Sequence, residues 1–205
     1  MKNFLLALVL ASAAFAADLQ LEPPTDNGAT LFKALSDRRS DRTFSGKALS
    51  AKDLGGLCWS AAGKNRDDGH LTVPSAMAKY EITLYVFNSE GAYKYNSASH
   101  SLTQVAKGDF RAATGVKEQT FVAKAAVNLV YVLDLDAAAG KEDLKKTQFG
   151  AVMAGAMAQN VGLYAAAHNL GNVVRGSYDE KELAKILKLG KRQVVVLAQS
   201  VGPLD

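Results

Sequence analysis

The run Ala126 to Leu133, AVNLVYVL, constrains this chain more than any other stretch. Eight residues rich in β-branched and aromatic side chains suit a strand buried at the centre of a sheet, and a buried strand needs material packed on its faces. The segment that follows suits that task. Lys141 to Asn169 lacks proline, is rich in Ala and Met, and runs into Asn169-Leu170-Gly171, which predicts one long helix with a glycine stop. Ala151, Ala154, Gly155, Ala158 and Gly162 recur on it at three- and four-residue spacing. They give a smooth face that is either core or a subunit interface.

The other segments carry shorter signals. Thr30 to Leu35 reads as a short helix that ends at an arginine cluster. Ser50 is a good N-cap for a second helix over residues 51–62, with Leu54, Leu57, Cys58 and Ala61 on one face and Gly63 as its stop. Residues 63–70 form a polar loop. Glu81 to Asn88 then reads as a strand, Ser89-Glu90-Gly91 as a turn and Ala92 to Tyr95 as the returning strand of a hairpin. A helical stretch is expected from about Leu102 to Ala113, a short capped helix from Asp179 to Leu187, and a last strand from Gln193 to Ser200. The hairpin and the clustering of helices favour an α+β class with a mostly antiparallel central sheet flanked by helices over a doubly wound parallel sheet.

Residues 1–16 have a positive start, an apolar run from Phe4 to Ala13 and a small-x-small ending at Ala14-Phe15-Ala16, the pattern of a cleavable signal peptide. The apolar run is shorter than the roughly 20 residues of a membrane span. The expectation is export to the periplasm or medium with no stable membrane anchor after signal removal. Residues 17–29, with Pro23-Pro24, read as an irregular N-terminal arm, and 30–205 as one domain. The formal charge of +4 falls to +3 without Lys2 and is dispersed, so no nucleic-acid surface is expected. Cys58 is the only cysteine, which excludes an internal disulfide and a cysteine-based zinc cluster. Its apolar surroundings fit a buried inert thiol better than a reactive one.

The candidate chemistry centres on DRRSDRTF, residues 37–44. Arg38, Arg39 and Arg42 repel one another unless an anion lies among them or Asp37 and Asp41 neutralise them. Guanidinium donors match phosphate or carboxylate oxygens, and Ser40 adds a hydroxyl. The bland alternative is a solvated basic turn paired with its two aspartates. No GxGxxG, Walker A, GxSxG or HExxH pattern occurs, and His70, His100 and His168 stand far apart. His168, inside the expected long helix, suits a surface or interface position better than a base. With no evident acid, base or metal site, the chemistry points to a bound cofactor.

Five segments carry a family resemblance: DRRSDRTFSGKALSAKDLGGLCWSAAGKN; TVPSAMAKYEITLYVF with GAYKYN; GDFRAATG with QTFVAKAAVNLVYVLDL; GAVMAGAMAQNVGLYAAAHNLGNVVRGSYD; and the closing strand with VGP. Together they resemble the flavin-dependent nitroreductase family, in particular its single-domain branch related to the SagB-type azoline oxidases. The resemblance implies FMN bound at a homodimer interface, with the long helix of each subunit packed on its mate. It implies that Arg38, Arg39 and Ser40 contact the phosphate and ribityl chain. Arg42 would lie by the phosphate or near N1 of the ring, where a positive group stabilises the reduced anion. Ser75 would cover one ring edge, Gln159 belongs to the family's QN pair, and the main chain of Val174, Arg175 and Gly176 would approach N5 and the C4 oxygen. Many relatives carry Asn where this chain has Ala78.

The function so implied is an exported FMN-dependent oxidoreductase. A donor would reduce the flavin at N5, and the electrons would pass to a second small molecule in the same pocket. Nicotinamide donors are cytosolic, so export requires another donor or a substrate that the enzyme oxidises. The alternative is a non-catalytic flavin-binding or structural dimer that retains the fold.

Overall fold

The computed structural model describes residues 18–205, and the expected signal peptide lies outside the described residues. Its centre is a seven-stranded sheet of β1 (Leu19–Gln20), β2 (Ile82–Phe87), β3 (Gly91–Asn96), β4 (Ser101–Lys107), β5 (Val127–Asp134), β6 (Leu170–Arg175) and β7 (Gln193–Pro203). The strand order is β1-β4-β3-β2-β5-β7-β6, and every neighbouring pair is antiparallel. The helices are α1 (Leu31–Asp37), α2 (Ala51–Ala62), α3 (Asp143–Ala167) and α4 (Glu180–Leu187).

β5 occupies the middle, as its composition predicts. Its side chains alternate between two cores: Leu129, Tyr131 and Leu133 meet Leu57 of α2 and Met153 and Met157 of α3, while Val130 and Val132 meet Leu183 and Leu187 of α4. Each fully buried aliphatic side chain contributes on the order of 1.5–3 kcal/mol. Local capping starts the helices where the sequence indicates. Ser50 Oγ accepts from Asp53 N at 3.0 Å and donates to Asp53 Oδ2 at 2.7 Å, and Asp179 Oδ1 accepts from Glu182 N at 3.0 Å. Cys58 is buried, and burial pushes its thiol pKa up to about 12, so the inert reading holds.

Several expectations need correction. The helix expected over 102–113 is instead β4 followed by a single 3-10 turn, Arg111–Thr114. Residues 97–100 turn the chain back, with His100 in the left-handed region (φ 49°), so that β4 pairs with β3. Long-range pairing overrides a weak local preference there. β6 is absent from the predicted order, and Leu19–Gln20 of the irregular arm adds a short edge strand to β4. The long helix ends at Ala167, and the left-handed residue after it is Asn169 (φ 55°), a role asparagine tolerates. Gly171 belongs to β6, where a Cβ would strike Leu204. The small-residue face of α3 is two faces: Ala154, Ala158 and Gly162 are buried against this chain's own core, whereas Ala151 and Gly155 are exposed.

Candidate functional site at the seam of α1, α3 and β6

The arginine cluster is a loop held at both ends. Thr30 caps α1, and the chain leaves that helix at Arg38, whose N–H donates to Ala34 O at 3.0 Å. Asp41 N donates to Asn172 O at 2.8 Å, and Asn172 Nδ2 donates to Arg39 O at 3.1 Å. Phe44, buried, pairs with Leu204 and packs 6.3 Å from Phe121 between ring centroids. One side of the loop is therefore fastened to β6 and the other to the core.

The ion pairs separate the three arginines. Asp37 is engaged by Lys33 at 2.6 Å, and Asp41 by Arg39 at 3.0 Å. Arg38 and Arg42 have no carboxylate within ion-pair distance among the described residues. The bland reading of a turn neutralised by its own aspartates thus fits Arg39 and leaves two guanidinium groups free. Arg38 extends across α3, because a Cβ on Gly162 would sit 3.5 Å from its Cγ and Cδ and from Asn172 Oδ1. Gln159, one turn earlier on α3, is exposed.

Next to Gln159, Asn160 faces α2 and the loop after it. Its Nδ2 donates to Ser60 O at 3.1 Å and to Thr72 O at 3.3 Å. The second of these bonds ties Thr72, two residues before Pro74, to α3. The Ser75 hydroxyl is occupied, donating to Glu81 Oε2 at 2.6 Å and accepting from Tyr80 N at 2.8 Å. Ser75 orders its turn, and its hydroxyl is not free for a ligand. Met77, Ala78 and Tyr80 follow with φ of 56°, 52° and 48°. Left-handed backbone costs roughly 1–2 kcal/mol per non-glycine residue, and the turn leaves Met77 81% exposed.

On β6 the side chains alternate. Asn172 and Val174 share the face toward α3, and Val174 remains 42% exposed. Arg175 points the opposite way and is 5% exposed. Its guanidinium donates to Thr114 O, to Thr114 Oγ1 at 3.4 Å and to Asn128 Oδ1 at 3.3 Å, while its Nε has no partner among the described residues. Burial pulls its pKa down to about 10, which leaves it cationic at neutral pH. Of Arg175, only the main chain is left for the α3 side. A Cβ on Gly176 would meet nothing within 4 Å.

The structure therefore places Arg38 beside Gly162 where α3 meets Asn172 of β6, with Gln159 one turn earlier on α3, Val174 two residues further along β6, Ser40 and Arg42 on the adjoining loop, and Ser75 three residues past Thr72, which Asn160 holds. It assigns Arg39 to Asp41 and turns the Arg175 side chain away. Asn172 goes unnoticed in the sequence because its strand does. An Asn flanked by apolar residues, LGNVV, was the available cue. No group of three or more metal-ligating side chains occurs among the described residues, and no described helix is long and apolar enough to cross a membrane.

Residues 35–203 match the model of the Nitroreductase family. A nitroreductase-type protein from Ralstonia eutropha JMP134 is 32% identical, with a TM-score of 0.86 over 100% of this chain and 96% of that one. The Escherichia coli microcin synthetase McbBCD complex, solved with truncated pro-MccB17 bound, contains a chain 22% identical with a TM-score of 0.69 over 100% of this chain and 85% of that one. A nitroreductase-type protein from Desulfovibrio desulfuricans, solved in complex with FMN, is 22% identical with a TM-score of 0.58 over 87% of each chain. At 22% identity the likeness to the last two is one of fold.

Proposed function

Because the chain belongs to the Nitroreductase family, we propose that it is an exported, homodimeric, FMN-dependent oxidoreductase acting on a small organic molecule. The observation that carries this reading is the pair of guanidinium groups with no carboxylate partner among the described residues, Arg38 and Arg42, together with exposed apolar side chains at Val174 and Met77. This combination of charge and apolar cover suits a phosphate joined to a flat ring system. Arg38, Arg42 and the Ser40 hydroxyl would hold the phosphate through charge-assisted bonds. Arg39, engaged with Asp41, would add to the local positive potential more than to direct contacts. Gln159 and the main chain of 174–176 would border the ring, with the Ser75 turn covering its edge.

FMN, when bound, supplies hydride and electron transfer at N5 to or from the substrate. The chain supplies placement, shielding from water and positive charge. The Asn172 bonds fix the arginine loop before any ligand arrives, which lowers the ordering cost of binding.

A homodimer is supported by the apolar surface of α1 and α3. Leu31, Phe32, Leu144 and Val152 are 62%, 84%, 69% and 67% exposed, and nothing lies within 4 Å of a Cβ on Gly155. Large apolar side chains exposed in this number on two neighbouring helices suit a surface covered by a second copy. Sedimentation at several concentrations tests this, and a monomer at all of them overturns it. Export predicts a mature N-terminus at Ala17, which N-terminal sequencing checks.

The purified protein is expected to be yellow, or to become so with added FMN. A colourless protein that cannot be reconstituted overturns the proposal. After chemical reduction it should be reoxidised by quinones, nitroaromatics or oxygen, and failure would mark an idle flavoprotein. Arg38→Ala and Arg42→Ala should each weaken FMN binding by about 1–3 kcal/mol. Unchanged affinity in both removes these residues from the site.

A further inference from the structure

A second cavity lies away from the arginine loop, between α2, the C-terminal end of α3 and the arm at residues 24–27. It measures about 390 Å³, and its walls include Pro24, Trp59, Tyr164 and His168. That volume falls within the range of small-molecule sites. Tyr164 and His168 stand about 140° and 180° around α3 from Gln159 at 3.6 residues per turn. The cavity is therefore on the far side of the helix from Gln159.

Part of its polar lining is already hydrogen-bonded: Asp26 Oδ1 accepts from Gly28 N at 2.8 Å. Asn27 Nδ2 donates to Ala167 O at 2.7 Å, and its Oδ1 accepts from Ala29 N at 3.0 Å. The Ser60 hydroxyl donates to Leu57 O at 2.8 Å. His168 differs. Its Nδ1 lies 3.2 Å from Asp53 Oδ1, and its ring stacks on Tyr164 at 3.9 Å between centroids, 18° from parallel. The Asp53 carboxylate, itself held by Ser50, places the imidazole proton on Nδ1. Nε2 is left as an acceptor with no hydrogen-bond partner among the described residues, and it is not among their enclosed unpaired polar atoms. An imidazole held by Asp53 on one side thus lines a cavity with an indole and a phenol in its walls.

We propose that this cavity is a second ligand site, for a small planar aromatic molecule bearing a hydroxyl, with Trp59 and Tyr164 contacting its ring and His168 Nε2 accepting its O–H hydrogen bond. A hydrogen-bond acceptor selects a donor, which distinguishes a phenol from its methyl ether, and the aromatic walls distinguish it from a saturated alcohol. Tyr164 remains a neutral phenol, because burial and the neighbouring Asp53 charge push its pKa well up.

Trp59 is the only tryptophan, so its emission reports on the cavity directly. The mature protein, with and without FMN, is titrated with 4-methylphenol, 4-methylanisole and 4-methylcyclohexanol. The expected result is saturable quenching by 4-methylphenol, about tenfold weaker binding of the other two, and the same order whether or not FMN is present. His168→Phe keeps the stack on Tyr164 and removes the acceptor. It should bring 4-methylphenol down to the anisole's affinity, with the far-UV circular dichroism of the parent. If that variant fails to fold, the three-ligand comparison on the unmodified protein stands alone. Equal binding of phenol and anisole overturns the role of His168, and the absence of saturable quenching by any of them overturns the site. A colourless protein that still shows this ligand order would separate failure of the flavin reading from failure of this one.

Discussion

Asn172→Ala tests how the arginine loop is built. Asn172 is 4% exposed, and its side chain makes two bonds: Nδ2 to Arg39 O at 3.1 Å, and Oδ1 from Gln199 Nε2 at 3.2 Å. The two losses differ in kind. Arg39 is exposed, so water can replace the amide at its carbonyl. Gln199 is fully buried but keeps a second acceptor, Ala158 O at 3.1 Å. Neither group is wholly orphaned, so each bond is charged at the net value of about 1 kcal/mol rather than at the larger desolvation cost, giving about 2 kcal/mol in all. With an m-value of about 2 kcal/mol/M, the urea midpoint should fall by about 1 M. The main-chain bond from Asp41 N to Asn172 O survives the substitution. FMN affinity should therefore drop by less than it does in Arg38→Ala. Unfolding is followed by far-UV circular dichroism, and flavin binding by absorbance titration. A midpoint within about 0.2 M of the parent would refute the reasoning, because the buried bonds would then carry no net stability.

Tyr131→Phe removes the hydrogen bond to Gln199 Oε1 at 2.6 Å and leaves that oxygen buried, so a loss of about 1–3 kcal/mol in urea unfolding is expected. Gly150→Ala places a methyl 2.6 Å and 2.8 Å from Leu133 Cδ1 and Cδ2. Overpacking of about 1–3 kcal/mol should appear as a lower midpoint with an unchanged m-value. The Cys58 thiol is held above its ordinary pKa of 9.0, at about 12, by burial. Its contribution to stability is complete below pH 9 and is lost as pH rises toward 12, because the unfolded thiol ionises first. Cys58→Ala should flatten that alkaline decline, and in the native protein Cys58 should resist a thiol reagent until urea unfolds the chain.

Local signals were legible where the residues that fix an element are its own neighbours. Ser50 and Asp179 close hydrogen bonds three residues away and set the starts of α2 and α4. β5 declared itself through an apolar run that only a doubly covered strand can carry, and the 82–96 hairpin through its short turn. The arginine cluster was visible as a concentration of charge at the end of a helix. Its neutralisation was not, since an aspartate two residues along the chain can turn toward any of several cations.

Tertiary structure decided what depends on distant partners. Residues 101–107 are a strand because β3 offers a ladder, and 170–175 are a strand because β7, paired with them 23 to 33 residues further on, offers another. The same pairing turns Arg175 into the core and Val174 toward α3, splits the small-residue stripe between buried Ala158 and exposed Gly155, and brings Asn172 to the arginine loop. Sequence alone determined which segments could form regular structure and where charge collects, because propensity, capping and periodicity act over a few residues. Which guanidinium groups have no carboxylate partner among the described residues was decided only by the fold, because ion pairs and strand register are contacts that local propensity does not specify.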